Sequence, residues 1–419
     1  MLGESGSILA AMAANTSHSA CASAQPQPMT VLRKNSRVTS VQVLRGVAAA
    51  LVVMHHFSQS VEMYSRQKSL IVSSGLGALG SVGVDLFFVI SGFIMIYTTR
   101  DRRGVHDALT FFGKRARRVY PLYWMWTTVL LSLVVGRIAL RGHTYPAEYI
   151  VASYLLVPMF NESNGNSLPL LWQGWTLSFE MLFYVAFAAA MTIVGSKSRS
   201  FVVALILGAT ALLATLILSP SAVRDLMANS LSVEFVLGML AAEFVIRLQM
   251  REKSVPIVVA VGLVALGTML LLGTLWVPPG VIPRGLVWGL PSFFILLGTA
   301  LPRNSSSRPG AFDFLGDASY SIYLTHGFFS LALGMALRRF WFMHSIRADA
   351  LIVVATMSTT FLGSLTYLAI EKPLLRWVSP RTLARDDIDL VLDPTAGNIT
   401  PGIGLDRRDD RDRDPHTRS

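Results

Sequence analysis

From residue 41 to residue 370 the chain alternates apolar stretches of about 20 residues with short polar ones, the length an α-helix needs to cross about 30 Å of hydrocarbon. Ten such windows fall at 41–59, 78–97, 119–138, 176–194, 200–218, 229–248, 255–275, 285–301, 318–337 and 350–370. The pattern predicts an all-α integral membrane protein, a polytopic bundle of about ten transmembrane helices. A further apolar segment, YIVASYLLVPMF at 149–160, is too short to span and contains Pro158, so it is expected to lie at the interface or to re-enter within a long loop.

Composition agrees: 52% of the 419 residues are hydrophobic and 15% charged, too apolar for an ordinary soluble domain. Lysine and arginine gather on alternate inter-span segments, beginning with Arg33, Lys34 and Arg37 and continuing through 100–118, which predicts both termini in the cytoplasm. The net charge of +11 follows from that topology and requires no nucleic-acid partner. Residues 1–38 and 379–419 lack apolar periodicity and are expected to be disordered cytoplasmic tails, leaving 39–378 as the membrane domain. No basic n-region precedes a cleavage site, so the first span is expected to act as the insertion signal. Cys21 is the only cysteine, which excludes an intrachain disulfide and cysteine-based zinc sites. The sequence contains no HExxH, P-loop or Rossmann glycine pattern, so neither a metal nor a resident cofactor is expected.

Against this apolar background the charged residues inside spans stand out, because they are costly there. Arg45 and His56 are eleven positions apart, close to three full helical turns, so they share a face roughly 16 Å apart along the axis. Ala49 and Val52 form the stripe between them, and His55 points about 80° away. Either Arg45 snorkels and His56 makes a core hydrogen bond, or the two belong to one polar track. Glu180, in WTLSFE, enters the membrane at a depth comparable to His56, where a carboxylate could fix the imidazole tautomer for general-base work. Asp85 is a second partner for the histidine or an interfacial charge favoured by a helix N-terminus. The basic stretch FFGKRARRVYPLYW holds Lys114, Arg115, Arg117 and Arg118, read either as positive-inside anchoring or as a site for a phosphorylated cytoplasmic ligand.

Six stretches, LRGVAAALVVMHHF, GVDLFFVISGF, RARRVYPLYW, WTLSFE, LGDASYSIYLTH and EKP at 371–373, run in the order in which they resemble motifs of the membrane acyltransferase 3 family. Its members O-acylate bacterial exopolysaccharides, O-antigens, nodulation signals and some macrolides. The resemblance implies that Arg45 and His56 are the family's essential pair, that Arg115 and Arg118 engage the acyl-CoA donor, and that Glu180, Ser319, Tyr320, Tyr323 and His326 match further motif positions. The function it implies is a membrane-embedded O-acyltransferase of the bacterial cytoplasmic (inner) membrane, multi-pass. It would move an acetyl or other short acyl group from cytoplasmic acyl-CoA to a hydroxyl of a cell-surface or secreted saccharide.

In that scheme His56 is the base or a transient acyl carrier and Glu180 its orienting partner. Arg115, Arg118 and Lys114 hold the CoA phosphates, and Arg45 receives the donor further in. His326, about one turn past Tyr323, is a second polar wall of the pocket or a structural hydrogen bonder. Acetyl-CoA is a donor substrate rather than a bound cofactor, and the other partners are a saccharide or lipid-linked saccharide acceptor and membrane lipids. Two alternatives stay open: a transporter or flippase of a lipid-linked sugar, and an acyltransferase acting on a small secondary metabolite such as a macrolide.

Overall fold

The structure, a computed structural model, describes residues 39–140, 142–277, 281–302 and 311–378. The expected tails lie outside these residues. Among the described residues the regular elements are helices, apart from one isolated bridge between Asn161 and Asn166. The helices of eight residues or more are α1 (Thr39–Tyr64), α2 (Val82–Thr98), α3 (Val105–Val135), α4 (Ala147–Tyr154), α5 (Gly174–Ile193), α6 (Ser196–Ile217), α7 (Ser232–Met250), α8 (Ile257–Gly273), α9 (Gly289–Ala300), α10 (Ala311–Arg339) and α11 (Ala348–Thr366).

Seven helical stretches are long and apolar enough to cross a membrane: α1, Leu76–Thr98, α5, α6, Ile257–Trp276, Phe312–Arg339 and Ala348–Val378. The windows at 119–138, 229–248 and 285–301 fall on α3, α7 and Arg284–Ala300. These three are either shorter or more charged: α7 carries Glu234, Glu243 and Arg247, and α3 takes in the whole basic run. α3 starts well before its expected window because Lys, Arg, Ala and Leu are all good helix formers. The segment expected at the interface is the eight-residue α4, too short to span; Tyr123 Oη donates to the Ser153 carbonyl (2.8 Å) and Trp124 Nε1 to that of Tyr154 (2.9 Å), pinning it to α3.

α1 packs most extensively on α10 and α2 on α7. Both contacts need glycine: a Cβ on Gly316 would run into the Gln42 carbonyl, and one on Gly238 into the Val89 carbonyl. By contrast, only 11% of the apolar window of α8 is buried inside the protein, and Val258, Val261 and Met269 point outward, a surface suited to lipid. α1, α2, α3, α5 and α10 thus form the packed centre in which the polar residues lie.

Candidate functional site

A cavity with about 790 Å³ of empty space, counted out into open solvent, lies between α1, α2, α3, α5 and α10. Its polar lining is Arg45 from α1, Ser91 from α2, Arg115 and Arg118 from α3, Thr176, Glu180 and Tyr184 from α5, and Ser319, Tyr320 and Tyr323 from α10. The i, i+3 spacing of Arg115 and Arg118 turns both to one face of α3, which a continuous helix through the basic run makes possible. Arg45 donates from Nη1 to Gln42 Oε1 (3.1 Å) and is 8% exposed, as is Arg118. The Arg115 guanidinium lies over the rings of Phe111 and Tyr184, at 5.5 and 5.6 Å from their centroids. Three guanidinium groups face one carboxylate across this lining, so it favours an anionic ligand. Ser319 Oγ is fully buried there and takes no hydrogen bond from the protein.

Lys114, expected beside the arginines, is not on the lining; it sits one turn nearer the start of α3 than Arg118. Glu180 is on the lining but is not paired with His56. Its Oε1 accepts from Ser91 Oγ (3.3 Å) and from the Tyr184 hydroxyl one helical turn away. The expected stripe from Arg45 to His56 is not an open track either, because Ala49 and Val52 are packed to 0 and 1% exposure in the core.

His56 belongs to a second polar group beyond the cavity. Its ring stacks on His326 (centroids 5.0 Å apart, planes at 22°) and meets Trp172 edge-on at 4.4 Å. Gln59 Oε1 lies 2.9 Å from His56 Nδ1; an amide oxygen only accepts, so Nδ1 carries the hydrogen and Nε2 of the neutral ring holds the lone pair. The same logic applies to fully buried His326, whose Nδ1 donates to the Tyr323 carbonyl and whose Nε2 has no partner. His55 meets the His56 ring edge-on, centroids 5.0 Å apart, and its Nδ1 is engaged by the Gly77 carbonyl at 2.8 Å.

Tyr323 is the wall common to both groups. It lines the cavity and its ring meets His326 at 5.4 Å and Phe87 at 6.1 Å. Its hydroxyl is bonded to Thr176 Oγ1 (2.8 Å) and donates to the Gln173 carbonyl (3.1 Å), tying α10 to the start of α5.

Asp85, expected as a partner for the histidine or as an interfacial charge favoured by a helix N-terminus, does lie in the first turn of α2, but its partner is an arginine. It is fully buried and bound by Arg284 in a fork, Nε to Oδ1 at 3.1 Å and Nη2 to Oδ2 at 2.9 Å. Arg284 reaches it from the short turn Arg284–Val287, which a break at Trp288 separates from α9; its guanidinium also lies 4.6 Å from the Trp288 ring centroid. Glu234, buried at the start of α7, completes this cluster, its carboxyl lying against Asp85 and Arg284. Sequence reasoning missed Gln59, Trp172, Glu234 and Arg284; of these only Glu234 carried a signal, as a carboxylate inside the window 229–248. Among the described residues no group of three or more His, Cys, Asp or Glu side chains is arranged to hold a metal ion.

Several helical stretches long and apolar enough to cross a membrane, with an arginine-lined cavity near stacked imidazoles, fit a membrane-embedded protein that handles an anionic ligand, whether by group transfer or by transport. Comparison with known families is specific: the acyltransferase domain family matches residues 38–369, and the chain belongs to that family. It is similar to the exopolysaccharide production protein ExoZ of Rhizobium meliloti (strain 1021), 35% identical over 311 residues that cover 71% of this chain and 90% of that protein. It is also similar to the acyltransferase MdmB of Streptomyces mycarofaciens, 29% identical over 159 residues, 36% of this chain and 38% of that one. No solved structure matches it significantly.

Proposed function

We propose that this acyltransferase moves an acetyl or other short acyl group from acyl-CoA on the cytoplasmic side of a bacterial inner membrane to a hydroxyl of a surface or secreted saccharide. The observation that carries the reading is the convergence of Arg45, Arg115 and Arg118 on one cavity lined also by Tyr323, whose ring meets His326, itself stacked on His56. Guanidinium groups suit the phosphates of CoA, because each forks onto two oxygens at once. The similarity to an exopolysaccharide production protein supports a saccharide acceptor.

In the reaction the acceptor oxygen attacks the thioester carbonyl, a C–O bond forms and the C–S bond breaks. His56 Nε2 takes the hydroxyl proton as attack proceeds and returns it to the CoA sulfur, so the base ends as it began. Gln59, not Glu180, orients His56 for this step. Glu180 instead balances part of the arginine charge and holds Tyr184. The ten-span count and the cytoplasmic termini belong to the same proposal.

The test is transfer from labelled acetyl-CoA in membranes carrying the protein, with His56→Ala and His55→Ala compared. General-base loss lowers rates by about 10²–10⁴-fold, so His56→Ala should abolish measurable transfer and His55→Ala should leave it within a few-fold of the parent. Full activity of His56→Ala would overturn the assignment. Mass analysis of surface polysaccharide from cells with and without the gene should show one acetyl mass lost.

A further inference from the structure

One hydroxyl on the cavity lining has no place in that scheme. Six lining side chains carry a hydroxyl, and among the described residues five of them bond within the protein. Ser91 and Tyr184 donate to Glu180 and Tyr320 to the Val119 carbonyl, while Thr176 and Tyr323 bond to each other and to the Gln173 carbonyl. The sixth, Ser319, is 0% exposed, and its Oγ has no partner among the described residues. A helical serine or threonine can satisfy itself by turning back to the carbonyl one turn earlier, as Ser178 does to Gly174 and Thr325 to Ser321. Ser319 forgoes that bond to Leu315 and faces the cavity instead. A buried hydroxyl with nothing to bond is costly, so such a group calls for a partner.

Its depth tells which part of a donor it meets. α1 and α10 run side by side with a constant offset of 270 residues: Gly46 packs on Gly316, His56 stacks on His326, and Ser60 Oγ lies 2.9 Å from Ser330 Oγ. Arg45 is therefore level with Leu315. Ser319 lies four residues past that level, about 6 Å, and seven residues short of the histidines, about 10 Å. A donor with its phosphates at the arginines and its thioester at the histidines lays the pantetheine arm across this level. The arm carries two amides, each a donor and an acceptor that an apolar wall would leave unmet, and Phe87 and Ile94 elsewhere on the lining suit the hydrocarbon between them. We propose that Ser319 is a donor-binding residue whose hydroxyl bonds an amide of the pantetheine arm of acyl-CoA. This rests on reading the cavity as the acyl-CoA site.

The experiment measures transfer from acetyl-CoA by the full-length protein in membranes, with two inhibitors: CoA, and adenosine 3′,5′-bisphosphate, which has phosphates but no arm. For Ser319→Ala the KM for acetyl-CoA should rise about tenfold while kcat stays within about threefold, the pattern of lost uniform binding. The inhibition constant of CoA should rise by about the same factor and that of the bisphosphate should stay within about twofold, because only the arm loses a partner. Removing a buried hydroxyl that has no bond in the free protein should leave its thermal midpoint unchanged or higher. An unchanged KM, or equal rises in both inhibition constants, would overturn the proposal. Should Ser319→Ala not accumulate, Ser319→Cys, close in size and only a weak donor, takes its place with the same expectations. A parent protein that takes no acetyl from acetyl-CoA, or ignores the bisphosphate, would overturn the reading of the cavity itself and this role with it.

Discussion

His56 and His326 stack with their ring centroids 5.0 Å apart, one from the first helix and one from the tenth, and each presents Nε2 as its free ring nitrogen. Two imidazoles in this contact cannot both take a proton cheaply, since the second charge would sit beside the first in a dry site. One of them therefore works as the base and the other shapes its surroundings. His56, partly accessible and oriented by Gln59, is the better base; His326 is wholly enclosed.

Replacing His326 with phenylalanine separates shape from chemistry. The ring and its stacking on His56 survive, while the Nε2 acceptor is lost. Turnover is expected to fall by about tenfold, below the 10²–10⁴-fold of a lost general base, with thermal stability close to that of the parent. A fall as large as that of His56→Ala, in initial-rate assays at equal protein, would transfer the base role to His326.

The Asp85, Arg284 and Glu234 cluster predicts an unequal pattern of stabilities. Arg284→Met leaves two buried carboxyl groups side by side without their cation and should cost about 3–5 kcal/mol, the usual penalty for breaking a buried pair. Glu234→Gln keeps the shape and removes the excess acid, so it should be close to neutral. The double variant Asp85→Asn, Arg284→Met should be more stable than Arg284→Met alone. Detergent-denaturation midpoints of the purified protein would show the order, and equal costs for all three would contradict the coupling.

Much of this site could be read along single helices, and less of it between them. The spacing of Arg115 and Arg118, and the motif around Ser319, Tyr320 and Tyr323, put those side chains on faces that do meet at one cavity. Across helices the outcome is mixed: Arg45 does meet Arg115 and Arg118 at the cavity and His326 does meet His56, whereas the expected partners of Glu180 and Asp85 are not the observed ones. Depth in the membrane placed Glu180 level with His56, yet depth does not fix how α5 is rotated, and Glu180 turns to Ser91 and Tyr184 instead. Asp85 had a readable position at a helix start, but its partner Arg284 is 199 residues away, on a turn whose placement depends on a helix break at Trp288. The packed Ala49 and Val52 show the same limit: a small-residue stripe reads equally well as a channel or as close helix contact, made here by α10 at Ala49 and by α2 at Val52.

Close backbone approach makes a prediction for the fold itself. α2 and α7 touch through Gly92 and Gly238, where an added Cβ would strike the Phe235 and Val89 carbonyls. Neither carbonyl can swing away as a side chain would, so the helices must separate. Gly238→Ala is expected to cost about 1–3 kcal/mol, the usual range for overpacking, and to reduce the yield of folded protein. Gly208 on α6, with open space around it, serves as the control; Gly208→Ala should be tolerated.

Tyr323 touches both the cavity and the histidines. Its hydroxyl ties it to Thr176 and the Gln173 carbonyl, and its ring, on the cavity lining, meets that of His326. Tyr323→Phe keeps the ring and loses the tether, worth about 1 kcal/mol, so transfer should persist within a few-fold. Tyr323→Ala removes the wall altogether. Water can then reach the thioester, because a closed site is what protects a reactive acyl donor from hydrolysis. The expected result is release of free CoA thiol without acetylated acceptor, measured side by side with product formation. Were Tyr323→Ala to retain coupled transfer, the ring would not be what keeps water from the thioester.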